Sequence, residues 1–450
     1  MRMGTTISTP STAPARPHGT AAAALANRNF RLLWLGLFAS NIGTWMQNVA
    51  LPAYVDNRTE SASWVAVFAF AQMGPLLLLS IPGGVLADRF RPKPWMVSMQ
   101  SEQLVLSLVI AALVARHSSL MALLGVQLLI GIGNALNAPA MQGVMPNLVP
   151  REDLAGAISL NSVMINGSRV IGPAIAAVML SWGVTTSQIF VVNAVTYLFV
   201  IVAILAIAIP RHQPNTEHRG FANLMIGIRI ARERTVIGRL LVGMTLFSFC
   251  CLTYVALFPT VARLNLGATG STYRWLYATW GLGACCGALA VGTVLAKRDK
   301  RTLIAPLFIG FAVMLAIFTA LRSPGLAFPI GFVLGFFYFA LATCMLTVVQ
   351  QNLHNYERAR VMSLWFMAFG GTVGICGLAF GPIVDAIGAR PVMWFGAAAA
   401  VGLAYWCDVS RRRVVFLEDA PPVPLDDHNR EAIEAGAATG FDENGASAGE

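Results

Sequence analysis

The chain has 450 residues, of which 56% are hydrophobic and only 12% are charged, and its formal net charge is +10. Its mean hydropathy is +0.65. Soluble proteins carry about 25% charged residues, so this composition excludes an ordinary soluble domain and indicates an integral membrane protein. The basic excess does not indicate nucleic-acid binding, because the Lys and Arg residues stand beside the ends of apolar stretches, where membrane topology places them.

Apolar stretches of about 20 residues, the length that crosses a bilayer as a helix, recur along nearly the whole chain. They predict an all-α membrane protein with twelve transmembrane helices, called segments 1 to 12. The segments are placed at residues 31–54, 63–86, 95–115, 119–141, 156–181, 187–209, 236–261, 272–296, 302–321, 326–349, 360–384 and 392–409.

The positions of Lys and Arg predict the orientation, because basic flanks resist translocation and accumulate in the cytoplasm. With the N-terminus inside, 24 of the 31 Lys and Arg residues are cytoplasmic. Arg169 falls inside segment 5, and the outer side holds only Arg58, Arg116, Arg263, Arg274, Arg322 and Arg390. We therefore expect both termini in the cytoplasm.

The remaining chain consists of two tails and a linker. Residues 1–27 are rich in Ala, Thr, Ser and Pro and lack the apolar core of a signal peptide, so we expect a disordered cytoplasmic tail. Residues 411–450 are acidic and are expected to be disordered too. The linker, 211–235, separates an N-terminal six-helix bundle, 28–210, from a C-terminal one, 236–410. Its sequence predicts an amphipathic helix on the inner leaflet with an apolar face formed by Phe221, Leu224, Met225 and Ile228.

The two halves are similar in sequence. MPNLVPREDLAGAISL (145–160) resembles QQNLHNYERARVMSLW (350–365), and a Gly-Pro pair follows each stretch. Duplicated six-helix halves are typical of transporters whose substrate site lies near the midplane between two rocking bundles.

Two motifs resemble the major facilitator superfamily. Its loop motif, G-x-L-A-D-R-x-G-R-K, matches between segments 2 and 3 at Gly84, Leu86, Ala87, Asp88, Arg89 and Lys93, whereas Arg91 and Pro92 stand where the family has Gly and Arg. The exporter signature G-x-x-x-G-P matches in segment 11 at Gly377, Gly381 and Pro382. In segment 5 only Gly172 and Pro173 match, because Ser168 replaces the first glycine.

More narrowly, NRNFRLLWLGLFASNIGTWMQNVALPAYV and NLVPREDLAGAISLNS resemble the enterobactin-exporter-like branch, also called transmembrane secretion effectors. The resemblance implies two six-helix bundles with pseudo-twofold symmetry in a bacterial cytoplasmic (inner) membrane. It also implies alternating access and efflux of siderophores or drugs, usually by proton antiport, as in multidrug resistance. In the family the aspartate matching Asp88 latches the two halves through the start of segment 11. The alternative is that Asp88 only caps its own helix or pairs with Arg89.

Two charged residues lie well inside predicted segments, where a charge costs about 2.5–3.5 kcal/mol. Glu102, in segment 3, is a candidate proton carrier, although a snorkelling or structurally paired carboxylate is the alternative. Arg169, in segment 5, either faces the cavity and attracts anionic or carbonyl-rich substrates, or hydrogen-bonds backbone carbonyls near the Gly172-Pro173 bend. Asp56 and Asp385, at segment ends, are weaker alternatives for the titrating group.

In this fold segments 1, 4, 7 and 10 line the cavity. They carry neutral polar groups among aromatic rings, which suit an amphiphilic molecule, and packing is the alternative role of each. The cavity candidates are Asn41, Trp45, Gln127, Asn134, Tyr254 and Tyr338, with Arg169 from segment 5. Gln127 replaces the arginine of the family's drug-antiporter motif, which leaves the coupling route open.

No phosphate loop, nucleophile triad or metal-ligand spacing occurs in the sequence, so we expect a transporter rather than an enzyme, without cofactor or metal. We expect a monomer in the lipid bilayer that moves a small-molecule substrate, coupled to protons, and binds no nucleic acid. The prediction is a secondary active exporter of small amphiphilic molecules. A small-nutrient importer and a non-transporting sensor of the same fold are the alternatives.

Overall fold

The structure is a computed structural model that describes residues 20–209, 221–268, 270–353 and 355–409. Within these ranges the side chains of residues 80–89 and 221–224, among some others, lie outside the description. The described residues form helices joined by short turns, with no strand among them. Most of both predicted tails, residues 1–19 and 411–450, lies outside the described residues.

The first part of the chain forms a short helix followed by six long ones. They are α1 (Ala21–Ala26), α2 (Arg28–Thr59), α3 (Ala62–Arg89), α4 (Pro92–Ala115), α5 (Leu120–Val144), α6 (Leu154–Ser181) and α7 (Thr186–Ala206). α7 begins with a capping box, in which the side chains of Thr185 and Gln188 each accept a hydrogen bond from the other residue's backbone N–H.

The second part begins with a bent pair of helices and contains more interruptions. Its helices are α8 (Phe221–Glu233), α9 (Thr235–Cys251), α10 (Thr253–Ala256), α11 (Phe258–Leu266), α12 (Gly270–Gly292), α13 (Lys300–Ala320), α14 (Pro324–Gln351), α15 (Asn355–Phe366), α16 (Thr372–Ile387) and α17 (Ala389–Trp406). The chain bends by 114° between α8 and α9.

Eight helical stretches of the described residues are long and apolar enough to cross a membrane, and the α8–α9 pair would be a ninth. The surface agrees with a lipid environment, because α7 exposes an apolar stripe at helical spacing, formed by Val195, Leu198, Phe199 and Val202. The protein is therefore a helical, multi-span membrane protein. The finer arrangement of twelve spans in two bundles stays a prediction.

Following chain order, we call α2–α7 the first group and α9–α17 the second group. Within the first group α2 packs against α6 and α7, and α5 packs against α3 and α4. Within the second group α14 packs against α12 and α13, and α17 packs against α9 and α13. The two most extensive contacts between the groups are α3 with α16 and α6 with α12.

Equivalent polar contacts occupy matching places in the two groups. Asn27, just before α2, donates from Nδ2 to Oδ2 of Asp153 at 3.4 Å, at the start of α6. Arg234, just before α9, donates to Oε1 of Glu357, in the first turn of α15, at 2.8 Å. It also donates to the carbonyl of Asn352, at the end of α14, at 2.7 Å. These contacts support the internal repeat inferred from the sequence.

The structure differs from the prediction at residues 20–27, which were expected to belong to a disordered tail. Instead they contain α1, whose first turn is capped by the Thr20 hydroxyl, which accepts from Ala23 N at 3.2 Å. Ala23 and Ala24 are buried, and a side chain at Gly156 of α6 would collide with the Thr20 carbonyl. Small residues on both sides therefore let this Ala-rich stretch pack tightly onto α6.

The predicted charged loop, 84–93, is also shorter than expected. α3 continues to Arg89 and α4 begins at Pro92, so only Phe90 and Arg91 lie between the helices. Proline is favoured in the first turn of a helix, because the N–H that it lacks has no helical partner there. Pro92 therefore starts α4 earlier than the hydropathy pattern indicates.

Segments 7 and 11 are interrupted rather than continuous. Segment 7 breaks at Leu252 and Leu257, between α9, α10 and α11. Segment 11 contains a π-helical turn, Met367–Gly371, between α15 and α16. Such turns occur frequently at functional sites, and apolar periodicity gives no sign of them.

The predicted linker helix is present as α8. A Cβ at Gly227 would lie 2.9 Å from the Arg360 carbonyl, so α8 packs closely against α15. Met225 is 56% exposed, which fits the predicted lipid contact. Ile228 instead lines a cavity between helices. The side chains of Phe221 and Leu224 lie outside the description.

Candidate functional site

An ion pair joins the two groups where α2 ends and α3 begins, here called the Asp56 end. Asp56, in the last turn of α2, is 2% exposed. It accepts hydrogen bonds from the Thr260 hydroxyl at 2.7 Å, Arg263 Nε at 2.8 Å and Arg263 Nη2 at 3.0 Å. The donors belong to α11, so this bidentate carboxylate–guanidinium pair, a strong type of hydrogen-bonded contact, links the first group to the second.

A second carboxylate at the same end caps a helix of the other group. Asp385, in the last turn of α16, accepts from the backbone N–H of Ala62 at 2.6 Å and of Ser63 at 3.0 Å. It also accepts from the hydroxyls of Ser61 at 2.8 Å and Ser63 at 2.6 Å. The first N–H groups of a helix have no internal partner and carry partial positive charge. Asp385 therefore satisfies the N-terminus of α3 across the interface.

The exporter signature in segment 11 lies next to this cap. A Cβ at Gly381 would lie 3.0 Å from Ser63 Cα and 3.1 Å from Ala66 Cβ, and one at Gly377 would lie 3.5 Å from Ala66 Cβ. Pro382 lies inside α16. The two glycines thus allow α16 to approach α3 closely, which is the contact that Asp385 completes.

The matching Gly-Pro pair in α6 has a different neighbour. A Cβ at Gly172 would lie 2.6 Å from Trp45 Cβ and 2.7 Å from the Ile42 carbonyl, so α6 approaches α2 inside the first group. Pro173 follows within α6. This close approach places Arg169, about one turn before Gly172, beside Trp45.

Arg169 lies between aromatic rings from both groups. Its guanidinium carbon is 5.2 Å from the ring centre of Trp45 in α2 and 4.8 Å from that of Phe339 in α14. Tyr277 and Tyr338 are its electrostatic neighbours. Its Nε is buried without a hydrogen-bond partner, and no described carboxylate forms an ion pair with it. The structure therefore brings Arg169, Trp45 and Tyr338 close together, and their role in the substrate cavity stays a prediction.

Aromatic residues extend this site into the second group. Tyr338 stacks between Trp280, at 5.7 Å and 20°, and Phe369, at 6.1 Å and 16°. The Trp280 indole N–H donates to the Tyr254 hydroxyl at 3.3 Å. Phe369 belongs to the π-helical turn. Sequence analysis named the two tyrosines but missed Phe339, Trp280 and Phe369, because an aromatic residue in an apolar segment is no different in sequence from a packing residue.

The other cavity candidates make no direct contact with Arg169 among the described side chains. Asn41 donates to the Leu37 carbonyl of its own helix at 2.9 Å. Gln127 is 1% exposed and its Oε1 has no hydrogen-bond partner. Asn134 is partly exposed on α5.

Glu102 lies on α4 against α5 and apart from Arg169. A Cβ at Gly133 would collide with its carboxylate, and Oε2 is buried without a hydrogen-bond partner. No hydrogen bond stabilises a negative charge on this oxygen, so protonation breaks no hydrogen bond there. No ion pair between Glu102 and Arg169 is present among the described residues.

The loop motif between segments 2 and 3, whose Gly84, Asp88, Arg89 and Lys93 are the predicted gate, lies at the end opposite Asp56. Three of its side chains lie outside the described residues: Gly84, Asp88 and Arg89. The fourth member, Lys93, donates from Nζ to the carbonyls of Leu205 at 2.8 Å and Ile207 at 2.9 Å. These carbonyls end α7, where a cation is stabilised by the helix dipole. Lys93 therefore joins two helices of the first group.

A cavity of about 470 Å³ lies on this opposite side and is lined mainly by the second group and α8. The first group contributes Leu77 of α3. The second group and α8 contribute mainly apolar residues: Ile228, Ala231, Arg232, Gly238, Leu241, Val242, Thr245, Leu364, Met367, Ala368 and Thr372. The charged contacts that join the groups in the described part of the chain lie instead at the Asp56 end.

Solved structures of transporters have the same architecture. The nucleoside transporter NupG superposes with a TM-score of 0.68 at 10% identity, over 86% of this chain and 100% of that one. An inward-facing, unoccupied bacterial homologue of the human lysosomal transporter Spinster superposes with a TM-score of 0.64 at 14% identity, over 88% and 99%. At these identities the likeness concerns the fold alone, which is that of a major facilitator transporter.

The family follows from the sequence match. The model described as transmembrane secretion effector matches residues 19–433, so the chain belongs to this family of the major facilitator superfamily. This confirms the resemblance seen in the loop and exporter motifs. The family consists of transporters rather than enzymes, in agreement with the prediction.

Individual relatives are distant. A protein of Staphylococcus aureus named staphyloferrin A transporter is 22% identical over 343 residues, which are 73% of this chain and 83% of that protein. The enterobactin exporter EntS of Shigella boydii is 26% identical over 265 residues, 58% of this chain and 63% of that one. The match thus spans slightly less than two thirds of the enterobactin exporter.

Proposed function

We propose that this protein is a secondary active transporter that exports small amphiphilic molecules, drug-like compounds or siderophore-type metabolites, by alternating access. The observation that carries the proposal is the asymmetry of the interface between the groups. Asp56 and Asp385 join the groups at one end, whereas on the other side a cavity lined by the second group and α8 reaches Leu77 of the first group. A transporter that rocks about a central site requires one state that is closed at this end and open at the other, and a second state with the two ends exchanged.

The proposed architecture has twelve spans in two six-helix bundles, with both termini in the cytoplasm of a bacterial cell. In this orientation the Asp56 end faces outward and the cavity faces the cytoplasm, from which an exporter loads. The siderophore transporters among the relatives support a siderophore-type substrate. The mainly apolar cavity lining supports an amphiphilic one.

Proton antiport is proposed through Glu102. Its buried, unpartnered carboxylate oxygen lies within a predicted span, where protonation removes the cost of burying a charge. The proposed cytoplasmic gate is Asp88 with Arg89. It would close the cavity side when the Asp56 end opens.

Transport into inside-out membrane vesicles tests the proposal, because export from the cell becomes uptake into such vesicles. The probes are enterobactin, measured by mass spectrometry, and ethidium, measured by fluorescence. Vesicles with and without the protein are compared before and after an uncoupler dissipates the proton gradient. We expect gradient-dependent uptake of at least one probe.

Variants separate the parts of the proposal. Glu102→Gln should abolish the effect of the uncoupler, whereas Glu233→Gln, which changes an exposed carboxylate paired with Arg229 on α8, should not. Uptake confined to right-side-out vesicles would indicate import. No uptake of either probe in either orientation would contradict the proposed substrates, and unchanged coupling in Glu102→Gln would reject Glu102 as the proton carrier.

A further inference from the structure

Building on the proposed transport function, we infer that the substrate is an anion carrying a planar aromatic group, and that its negative group binds Arg169 between Trp45 and Phe339. The starting observation is an uncompensated charge. Arg169 lies near the middle of α6, and its Nε is buried without a hydrogen-bond partner. The rest of the side chain is partly exposed, so an anion from outside the chain can reach the guanidinium and complete the site.

Three arginines near helix ends have partners within the protein, although the Arg274 Nε near the start of α12 is also buried without one. Arg263 pairs with Asp56, and Arg234 pairs with Glu357. Arg390 donates to the carbonyls of Asn265 and Leu321, both at 3.2 Å. Arg169 makes no such contact with a described carboxylate or carbonyl. The alternative from the sequence, hydrogen bonds to carbonyls near the Gly172-Pro173 bend, is therefore not the arrangement found.

The contacts of Arg169 leave its Nε without a hydrogen-bond acceptor. Trp45 and Phe339 supply aromatic contacts at 5.2 and 4.8 Å, and ring faces stabilise the cation without accepting its N–H groups as a carboxylate does. A guanidinium binds carboxylate and similar anions bidentately through N–H groups in its plane. Arg169 and Trp45 are both partly exposed, so a ligand between the groups reaches them.

The neighbouring rings favour an aromatic partner for the same ligand. The stack of Trp280, Tyr338 and Phe369 continues from Phe339, which contacts both Tyr338 and Phe369 edge-on at 4.7 and 6.0 Å. Planar groups interact well with such surfaces through offset or edge contacts. Because Trp45 belongs to the first group and Phe339 to the second, an anion at Arg169 touches both moving parts.

Binding of three probes that share one ring system tests the inference. Naphthoate, naphthamide and naphthylmethylammonium carry negative, zero and positive charge on the same aromatic group. Equilibrium dialysis against the full-length protein in nanodiscs gives their affinities, with empty nanodiscs to subtract partition into lipid. Because a hydrogen bond to a charged group is stronger than a neutral one, naphthoate should bind at least about ten-fold more tightly than either of the others.

Three variants assign the preference to Arg169. Arg169→Gln should lower naphthoate affinity to that of naphthamide and leave naphthamide unchanged, whereas Arg169→Lys should keep a weaker preference for the anion. Arg239→Gln is the matched control, because Arg239 also lies over a tryptophan, Trp406, at 5.4 Å, but on α9 against α17. It should leave the preference unchanged. Size-exclusion chromatography checks folding.

The wild-type comparison decides the inference even if Arg169→Gln does not fold. Equal binding of the three probes, no binding of naphthoate, or a preference that survives in folded Arg169→Gln would overturn it. Vesicle uptake distinguishes the two proposals. Transport of ethidium or enterobactin without anion preference in binding would leave the transport function and reject the substrate class. Charge-selective binding without any uptake would leave the anion site and reject the transport function.

Discussion

Neutralising Asp56 should open the Asp56 end of the protein. Asp56 accepts three hydrogen bonds from α11, two of them from Arg263. A hydrogen bond to a charged group contributes about 1.5–3 kcal/mol, and breaking a buried pair costs about 3–5 kcal/mol. The Arg263 side chain is 19% exposed and Asn keeps the size of Asp. We therefore expect Asp56→Asn to destabilise the closed end by about 2–3 kcal/mol, which lowers its population ratio about 30- to 150-fold.

Electron–electron resonance distances between spin labels measure this change. Arg116, after α4, and Arg322, after α13, are exposed at the Asp56 end on opposite groups, so labels introduced there report its opening. The partly buried native cysteines Cys250, Cys285 and Cys286 are first replaced by alanine. Asp56→Asn should move most of the distance distribution to longer values in nanodiscs.

The matched control is Asp299→Asn. Asp299 also pairs with an arginine, Arg301, at 2.8 Å, but the pair is partly exposed and lies within one turn of the chain. Such pairs contribute little, so the label distances should stay at the wild-type values. If Asp56→Asn gives the wild-type distribution too, the ion pair does not hold the end closed and the reasoning is refuted. Arg263→Gln should reproduce Asp56→Asn, and the double variant should add little to either.

Three further changes test other contacts. Asp385→Asn removes the charge that caps α3 and should lengthen the same label distances, by less than Asp56→Asn. Gly381→Leu should separate α16 from α3 and lengthen them as well, whereas Gly402→Leu, where a Cβ meets nothing within 4 Å, should not. Arg234→Gln removes the cation that donates to the buried carboxylate of Glu357. It should lower the melting temperature, because the free energy of unfolding falls by about 3 kcal/mol. Arg229→Gln, in an exposed pair, should change it little.

The sequence predicted the helices well because apolar length alone determines where a chain can cross a bilayer. Each predicted segment overlaps at least one helix, from α2 to α17. The errors occur where packing or local chemistry overrides hydropathy. Pro92 starts α4 early, and the lack of a side chain at Gly156 lets α1 pack against α6. Segment 7 breaks at Leu252 and Leu257. None of these depends on the average hydrophobicity of a window.

The candidate site was predicted in part for a similar reason. A lone arginine in an apolar segment is visible in sequence, so Arg169 was identified together with Trp45. Its second aromatic neighbour, Phe339, belongs to the other group. This contact could not be predicted, because the sequence does not show which helices meet. Asp56 and Asp385 were considered only as titrating groups, because a partner more than 200 positions away across an interface leaves no local pattern.

The last prediction concerns both ends of one helix pair. α3 and the helix formed by α15 and α16 run antiparallel, because Ser63 lies beside Gly381 whereas Leu77 lies beside Gly371. In an antiparallel pair, the C-terminus of each helix lies near the N-terminus of the other. Asp385, in the last turn of α16, caps the N-terminus of α3.

Asp88 holds the equivalent position in the last turn of α3. If closing one end opens the other, Asp88 should cap the start of α15 only in the opposite state. Asp88→Asn should then shorten the label distances at the Asp56 end, whereas Asp385→Asn lengthens them. The double variant should return towards the wild-type distribution while transport stays slow, because neither state is stabilised. A shift in the same direction for both single variants would show that the two carboxylates do not stabilise opposite states.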